Sequence, residues 1–378
     1  MKVLLIPDKF KGSLDAKEVI RAISEGVCQV HPGAEIFSVL ASDGGDGFLN
    51  AVSENLNCTT TTVVTVDPLN RKMEAVYLFD NVTKTAYIEL AKASGLELLK
   101  GAERDVMRTS SYGTGLQIRH AIENGATKIY LGLGGSATND GGTGIAKALG
   151  YRFLDDLGHE LEPVGGELSK IAKIEKKDVA LDVTGISFHA VNDVNNPLYG
   201  KQGAAYVYAE QKGATSKEIQ KLDKGLRHLE AIVKDQLKKN AAQLPGAGAA
   251  GGTAYGLNVF LNAEFISGID FVLRLAKVNQ LLSDHHFEYI ITGEGKFDEQ
   301  TLHGKLIKGV IDLGRQYQIP VIAICGQSDI DSAQSKSIGL EVILEIRDTA
   351  KSVQYSMDNA ARLIRESIFS FFKSTLKK

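Results

Sequence analysis

The 378-residue sequence has no tryptophan, only seven prolines, only three cysteines and no long hydrophobic run. Cys28, Cys58 and Cys325 are far apart and form no Cys-x-x-Cys pair, which argues against a disulfide framework and a structural zinc site. The sequence contains no run of about 18 apolar residues, which is the length that a membrane span needs. The apolar segment at residues 3–6 is too short for a signal peptide. We therefore expect a cytoplasmic protein without a membrane partner.

An excess of charge of one sign is also lacking, because 43 basic and 46 acidic residues leave a formal net charge of −3. This balance does not indicate nucleic-acid binding. The expected partner is a small molecule or another copy of the chain, and the expected assembly is a monomer or a homodimer. A chain of 378 residues with 43% apolar residues exceeds the size of one ordinary hydrophobic core, which predicts two domains.

Both ends of the chain alternate short apolar runs with helical patterns, which predicts a parallel sheet built from βα units. Asp15 and Glu18 form a capping pair before the first helix. The predicted strands are residues 3–6, 35–40, 287–292, 320–325 and 340–346. We infer a discontinuous, doubly wound α/β domain of the Rossmann or flavodoxin type, formed by residues 1–58 and 286–378.

The middle of the chain, residues 59–285, predicts a second, mixed α/β domain inserted into the first. Its first part contains β-branched runs separated by turn signals, which favours antiparallel strands. A strand, a glycine-rich loop and a helix follow at 128–149, and an amphipathic helix follows at 216–239. The Gly/Ala stretch at 245–256 fits a hinge, a linker or a ligand loop equally well.

Turns that combine glycine with charged residues follow the predicted strands, at the sheet edge where α/β proteins bind ligands. Any one of them is explained by ordinary turn chemistry, whereas several on one edge predict a binding site. The segment at residues 293–305 is not a Walker A loop, because Leu306 follows Lys305 where Ser or Thr is needed. A glycine-preceded helix start with lysine nevertheless fits a phosphate. The turns are PDKFKGS (7–13), SDGGDG (42–47), GEGKFDEQT (293–301) and GQSD (326–329).

The stretch LGLGGSATNDGGTG, residues 131–144, places six glycines around one carboxylate, that of Asp140. Such a cluster indicates positive φ angles or the close approach of a ligand such as phosphate. Its GLGGSA portion also resembles a dinucleotide fingerprint, although the following helix is too short for an ordinary βαβ unit. An NAD(P)-dependent oxidoreductase and a noncatalytic two-lobed organic-acid-binding protein are therefore alternatives.

Several stretches together resemble, in order, the type 1 glycerate kinase family. The resemblance implies two α/β domains with the active site between them, and transfer of the γ-phosphate of ATP to D-glycerate with Mg²⁺. It favours 2-phosphoglycerate over 3-phosphoglycerate as the product. The chain departs from the family pattern at Lys9, Ser42, Phe48 and AEQKGA (209–214). The matching stretches are PDKFKGSLDAKEV, SDGGDG, ELAKASGLEL, TSSYGTG, GLGGSATNDGGTGIAKALG, NDVNNPLYGKQGAA, PGAGAAGG and GEGKFDEQTLHGK.

Phosphoryl transfer needs charge neutralisation, a metal holder and in-line placement of the attacking hydroxyl, and each need has candidate residues. We expect Mg²⁺ to be held by Asp298 or Asp140, and the acceptor hydroxyl to be oriented or deprotonated by Asp193 or Asp43. The expected nucleotide-binding residues are Gly134, Gly135, Ser136, Asn139, Gly293, Gly295, Lys296 and Lys305. The expected glycerate-binding residues are Lys9, Lys11, Asn192 and Asp46, with Lys11 also taking part in catalysis.

Overall fold

The computed structural model describes residues 1–40, 47–176, 181–297 and 305–376. The chain divides into two compact units by its internal contacts. Unit 1 comprises Met1–Ser42 and Gly268–Lys378, and unit 2 comprises Asp43–Ser267. The domain boundaries at 58/59 and 285/286 stay a prediction.

The secondary structure of the described residues alternates strands and helices. Its strands are β1 (Lys2–Pro7), β2 (Glu35–Ser38), β3 (Thr59–Val66), β4 (Lys72–Asp80), β5 (Thr85–Glu89), β6 (Lys128–Gly132), β7 (Tyr151–Leu154), β8 (Lys173–Lys176), β9 (Ser187–Val191), β10 (Glu264–Ile266), β11 (Tyr289–Phe297), β12 (Val321–Ser328) and β13 (Val342–Glu345). Its α-helices are α1 (Ala16–Val30), α2 (Phe48–Asn55), α3 (Ala91–Ser94), α4 (Tyr112–Glu123), α5 (Thr143–Ala148), α6 (Ala204–Tyr208), α7 (Ser216–Gln236), α8 (Ala249–Leu261), α9 (Gly268–Leu275), α10 (Val278–Asp284), α11 (Lys305–Tyr317), α12 (Ser332–Ile338), α13 (Val353–Asp358) and α14 (Ala360–Thr375).

Unit 1 is built on a five-stranded parallel sheet with the order β13-β12-β11-β1-β2. Helices α1 and α14 pack on it through apolar side chains, which include Ile364 and Phe372 of α14. Ile291 lies in this core, and its neighbour Ile290, which faces the other side of the sheet, is buried too. Both faces are therefore covered, as in a doubly wound sheet.

The start of α1 confirms the predicted capping pair. The Asp15 carboxylate accepts from the Glu18 N–H at 2.8 Å, and the Glu18 carboxylate accepts from the Asp15 N–H at 2.9 Å. Two N–H groups that the first turn leaves without a helical partner are satisfied in this way.

Unit 2 is built on a six-stranded mixed sheet with the order β10-β9-β6-β5-β4-β3. The pairs β3–β4 and β4–β5 are antiparallel, as the β-branched runs and turn signals predicted. Strands β5, β6, β9 and β10 run parallel to one another. Strands β7 and β8 form a separate antiparallel pair. The mixed α/β class predicted for the middle of the chain is thus confirmed.

Strand β11 differs from its prediction, which ended it at Thr292 and placed GEGKF in a loop. It continues to Phe297 because β12 pairs with it as far as Ser328. A Cβ atom on Gly293 would lie 2.3 Å from the carbonyl oxygen of Ile324, so glycine serves close strand packing here rather than a turn.

No helix in the described part of the chain is long and apolar enough to cross a bilayer.

Candidate active site

The glycine-rich loop, residues 133–142, follows β6 and is held by two other segments that carry the family resemblance. The Leu96 N–H donates to the Gly135 carbonyl at 2.8 Å, and the Ala137 N–H donates to the Ser94 carbonyl at 2.9 Å. The Thr109 hydroxyl donates to the Ala137 carbonyl at 2.8 Å. The ELAKASGLEL and TSSYGTG stretches therefore fix the loop from outside.

Only the first part of this loop is accessible to a ligand. Gly134 is half-buried and Gly135 is exposed, whereas Ser136 and the following loop residues are buried. Gly135 has φ of +69°, which favours glycine. No described residue accepts a hydrogen bond from the backbone N–H groups of Gly134, Gly135 or Ser136. Consecutive free N–H groups around a positive φ form an anion-binding concavity.

Asp140 anchors the far end of the loop and is fully buried. Its Oδ2 accepts from the Ser111 N–H and hydroxyl, both at 2.7 Å, and from the Gly144 N–H at 3.3 Å. Its Oδ1 accepts from the Gly142 N–H at 3.1 Å. Burial raises the pKa of this carboxyl, and the four hydrogen bonds oppose the rise. A carboxylate has about four acceptor positions, so a Mg²⁺ ion here would displace one donor. The metal role of Asp140 stays a prediction.

Two buried polar side chains of the loop have no hydrogen-bond partner among the described residues. Asn139 is fully buried and neither its Oδ1 nor its Nδ2 is satisfied. The same is true of the Thr138 hydroxyl. A buried amide without a partner is costly, and such groups mark positions where a ligand or water is needed. This geometry supports, without testing it, the prediction that Asn139 contacts a bound molecule.

Sequence reasoning missed Lys212, which the fold brings to the loop. Its Nζ donates to the Ser136 hydroxyl oxygen and to the Thr138 carbonyl, both at 2.8 Å, and the residue is only 3% exposed. Burial lowers the pKa of Lys212 to about 7, and the charge of Asp140 opposes this shift. A single lysine in a polar turn carries no sequence signal. The segment that contains it, AEQKGA, is distinguished in the sequence only as a departure from the family pattern.

Lys212 should make stability rise with pH above neutrality. Its folded-state pKa of about 7 lies below the ordinary value of 10.5, so between these values the unfolded chain holds a proton that the folded chain lacks. The free energy of unfolding should therefore increase with pH by up to about 1.4 kcal/mol per unit. Urea unfolding of wild type and Lys212→Met at pH 7, 8 and 9 measures this effect. The difference in the free energy of unfolding between the two proteins should change with pH. A difference that is the same at all three pH values contradicts it.

Two further predicted loops lie beside the glycine-rich loop. Strand β9 pairs with β6 up to Val191 and Gly132, so Asn192 and Asp193 follow at the same sheet edge. Asn192 is buried and Asp193 is half-buried. The Gly/Ala stretch packs against both, because the Gly141 N–H donates to the Gly251 carbonyl at 3.1 Å and the Gly248 N–H to the Asn196 carbonyl at 2.9 Å. This stretch is therefore packed inside unit 2 and continues into α8.

The predicted residues of unit 1 share the carboxyl edge of its parallel sheet. The Asp8 N–H donates to the Gly293 carbonyl at 2.8 Å, and a Cβ atom on Gly295 would lie 3.4 Å from the Lys11 nitrogen. Lys9 and Lys11 are exposed. The Lys296 ammonium forms an ion pair with Asp329 at 2.9 Å, so its charge is already partly balanced.

Four of the predicted groups cannot be placed. Asp43, Asp46 and Asp298 lie outside the described residues, as does the side chain of Lys305. Among the residues that are described, no three His, Cys, Asp or Glu side chains gather as a metal site.

The dinucleotide alternative does not fit the local topology. Helix α5, after the glycine-rich loop, has six residues, and the next strand, β7, pairs only with β8 rather than joining β6 in the main sheet. A Rossmann fingerprint requires two neighbouring parallel strands joined by the crossover helix.

A cavity of about 700 Å³ lies elsewhere in unit 2, near the start of α4. None of the predicted site residues lines it, so it is separate from the glycine-rich loop. Its lining includes Pro68, Arg108, Tyr112, Lys147 and Glu160.

A glycine-rich loop with free N–H groups at the carboxyl edge of an α/β sheet is typical of proteins that bind phosphate groups. The profile of the glycerate kinase family matches residues 3–375, and the chain belongs to this family. It is accordingly a kinase that phosphorylates an alcohol group.

Curated relatives and a solved structure agree with this assignment. The glycerate kinase of Halalkalibacterium halodurans is 41% identical over 324 residues, covering 86% of this chain and 85% of the relative. The glycerate 2-kinase of Escherichia coli is 38% identical over 346 residues, covering 92% and 90%. A crystal structure provisionally named glycerate kinase 2, from Salmonella typhimurium, has a TM-score of 0.82 at 36% identity and covers 100% of this chain and 98% of that one.

Proposed function

We propose that this kinase transfers the γ-phosphate of ATP to D-glycerate in the presence of Mg²⁺ and forms 2-phosphoglycerate. The observation that carries the proposal is the free N–H run of Gly134, Gly135 and Ser136 at the accessible end of the glycine-rich loop. These donors suit the nonbridging oxygens of a phosphate chain, where negative charge must be neutralised. The relative named glycerate 2-kinase supports the 2-position.

Each unit has its own proposed nucleotide-binding groups. Gly134, Gly135 and Ser136 would donate to phosphate oxygens, and Asn139 would supply a further polar contact. Gly293, Gly295, Lys296 and Lys305 are proposed to act in the same way in unit 1. Asp298 is the better candidate for Mg²⁺, because the oxygens of Asp140 are already occupied. When bound, Mg²⁺ would balance charge on the phosphate oxygens, and proteins commonly hold it by one or two carboxylates plus the substrate phosphates.

The acceptor end is proposed to use ammonium groups for the glycerate carboxylate and an acidic group for its hydroxyl. Lys9 and Lys11 are exposed and so available to the carboxylate. Asp193 follows β9 at the sheet edge that carries the glycine-rich loop, which supports a role in orienting or deprotonating the hydroxyl. Asn192 would assist in binding, and Asp43 and Asp46 stay further candidates.

The product identifies the reaction. Phosphorus NMR after incubation with ATP, Mg²⁺ and D-glycerate is expected to show 2-phosphoglycerate. Accumulation of 3-phosphoglycerate would overturn the proposed position, and phosphorylation of another hydroxy acid but not of glycerate would overturn the proposed acceptor. Thermal shift with ATP-Mg²⁺, NAD(H) or glycerate adds a test against the alternatives, because a ligand that binds only the folded state raises its melting temperature.

Lys11→Ala should raise the KM for glycerate about 10- to 100-fold with a smaller change in kcat, because a charge-assisted contact to the bound carboxylate is lost. Steady-state kinetics at saturating ATP measure the effect. Lys336→Ala is the matched control, since Lys336 is another exposed lysine of unit 1. An unchanged KM would remove Lys11 from the acceptor site.

We also propose a cytoplasmic location, since the expected ATP dependence and the three free cysteines suit a reducing compartment. The assembly is proposed to be a monomer or a homodimer, which light scattering distinguishes.

A further inference from the structure

We propose that Lys212 is a positioning residue for phosphoryl transfer, acting through Ser136 to hold the phosphate-binding part of the glycine-rich loop. Its ammonium group fixes the Ser136–Thr138 segment and orients the Ser136 hydroxyl toward the bound anion. This inference rests on the proposed use of ATP by this site.

The backbone around Lys212 is fixed independently of its side chain. Lys212 ends the 3₁₀ turn Glu210–Lys212, and its N–H donates to the Ala209 carbonyl at 3.1 Å. Gly213 has φ of +97°, and a Cβ atom there would lie 2.1 Å from the Arg104 carbonyl oxygen. The chain therefore approaches residue 104 so closely that only glycine fits, and this sets the direction from which the lysine enters the loop.

The side chain is placed in an environment that an ammonium group does not favour by itself. Ala209 and Ala214, which flank Lys212 in sequence, lie in a buried apolar cluster with Val106 and Leu222. Fixing a lysine side chain costs conformational entropy, and burying its charge costs more unless it is paired. These two costs are offset by hydrogen bonds from the ammonium group to two points of one loop, Ser136 and Thr138. A structural apolar residue would fill this place without either cost.

The hydrogen-bond pattern assigns a direction to the Ser136 hydroxyl. A hydroxyl has one donor and two acceptor positions, and the Lys212 Nζ donates to its oxygen at 2.8 Å. The hydroxyl hydrogen must therefore point away from the ammonium group. Ser136 also carries one of the three free N–H groups of the loop. Its hydroxyl and N–H can thus donate together to one phosphate oxygen.

In its protonated form, Lys212 favours an anion at this position. No carboxylate of the described residues forms an ion pair with Lys212, and the charge of Asp140 acts on it without direct contact. A buried ammonium without an adjacent counter-ion gains most from an anion bound at the neighbouring free donors. Phosphate oxygens are the anion that the proposed reaction supplies.

The test is a double-mutant cycle of Lys212→Met and Ser136→Ala, with ADP as the binding probe in calorimetry and ATP and glycerate in steady-state kinetics. Lys212→Met should weaken ADP binding about 10-fold, lower kcat at least 30-fold and leave the KM for glycerate within about 2-fold. Because Lys212 acts through Ser136, the double variant should lose far less than the product of the two single losses. Lys217→Met, an exposed lysine of the same region, is the matched control with unchanged binding.

Lys212→Gln keeps a hydrogen-bond donor without the charge and is the second variant in case the methionine substitution does not fold. It should bind ADP better than Lys212→Met and less well than wild type. Wild-type ADP affinity and kcat in a folded Lys212→Met or Lys212→Gln protein would overturn the inference, as would additive effects in the cycle, and neither result would affect the proposed function. Wild-type protein that binds ADP but does not phosphorylate glycerate would overturn the proposed acceptor and leave the inference standing.

Discussion

Asp140→Asn is expected to destabilise the protein by about 3 kcal/mol and to lower kcat by about 100- to 1,000-fold. Four donors converge on this buried carboxylate, from the Ser111 N–H and hydroxyl and from the Gly142 and Gly144 N–H groups. An asparagine offers one oxygen, and its amide hydrogens would face the remaining donors. Each buried donor left unsatisfied costs about 1–3 kcal/mol, offset in part because a neutral amide no longer carries a buried charge. A small displacement of the loop would then remove the precise placement on which transfer depends.

Calorimetry without ligand measures the first effect, as a melting temperature lower by roughly 6–12 °C for a unit of this size. Ser111→Ala is the matched comparison, because it removes one donor to Asp140 and the acceptor of the Ile145 N–H while leaving the carboxylate in place. It should cost about 1 kcal/mol. An unchanged melting temperature in Asp140→Asn, together with a higher Mg²⁺ requirement, would instead assign Asp140 to the metal.

Gly251→Ala should be destabilising by about 4 kcal/mol and should weaken ADP binding. Gly251 has φ of +67°, and a Cβ atom there would lie 2.0 Å from the Thr138 carbonyl oxygen. That oxygen also accepts from Lys212, so the substitution pushes directly on the segment that the lysine holds. The left-handed backbone adds about 1–2 kcal/mol for a residue with a side chain, and the overlap with Thr138 costs more.

Ala250→Gly is the control on the neighbouring residue. Ala250 already adopts φ of +53°, so glycine relieves strain there while it increases the entropy of the unfolded chain. The two effects nearly cancel, and the melting temperature should change by less than a few degrees. Equal destabilisation by both substitutions would show that backbone freedom, and not contact with Thr138, decides the outcome.

The elements with regular periodicity were the predictable part of the fold. The capping pair at Asp15 and Glu18, the apolar stripe of α14 and the antiparallel pairing of β3 with β4 follow from local pattern and burial alone. The end of β11 did not, because Gly293 has the composition of a turn while its role is close packing against β12. Composition cannot separate these two uses of glycine.

The candidate site was predictable as a set of loops but not as an arrangement. Asn192 and Asp193 come near the glycine-rich loop because β9 pairs with β6, and no local pattern specifies that strand order. Lys212 reaches Ser136 across 76 residues of sequence. A contact of that range depends on how α6, α7 and the loop pack, so the residue had no signal of its own.

The accessible part of the glycine-rich loop consists of main chain at Gly134 and Gly135, with almost no side chain to vary. Recognition by main-chain N–H groups depends on backbone conformation rather than on side-chain identity. Most substitutions in the surrounding sequence therefore leave it intact. With the proposed assignment of sites, the accepted alcohol would change through the lysine- and aspartate-bearing turns, while the phosphate donor would stay the same.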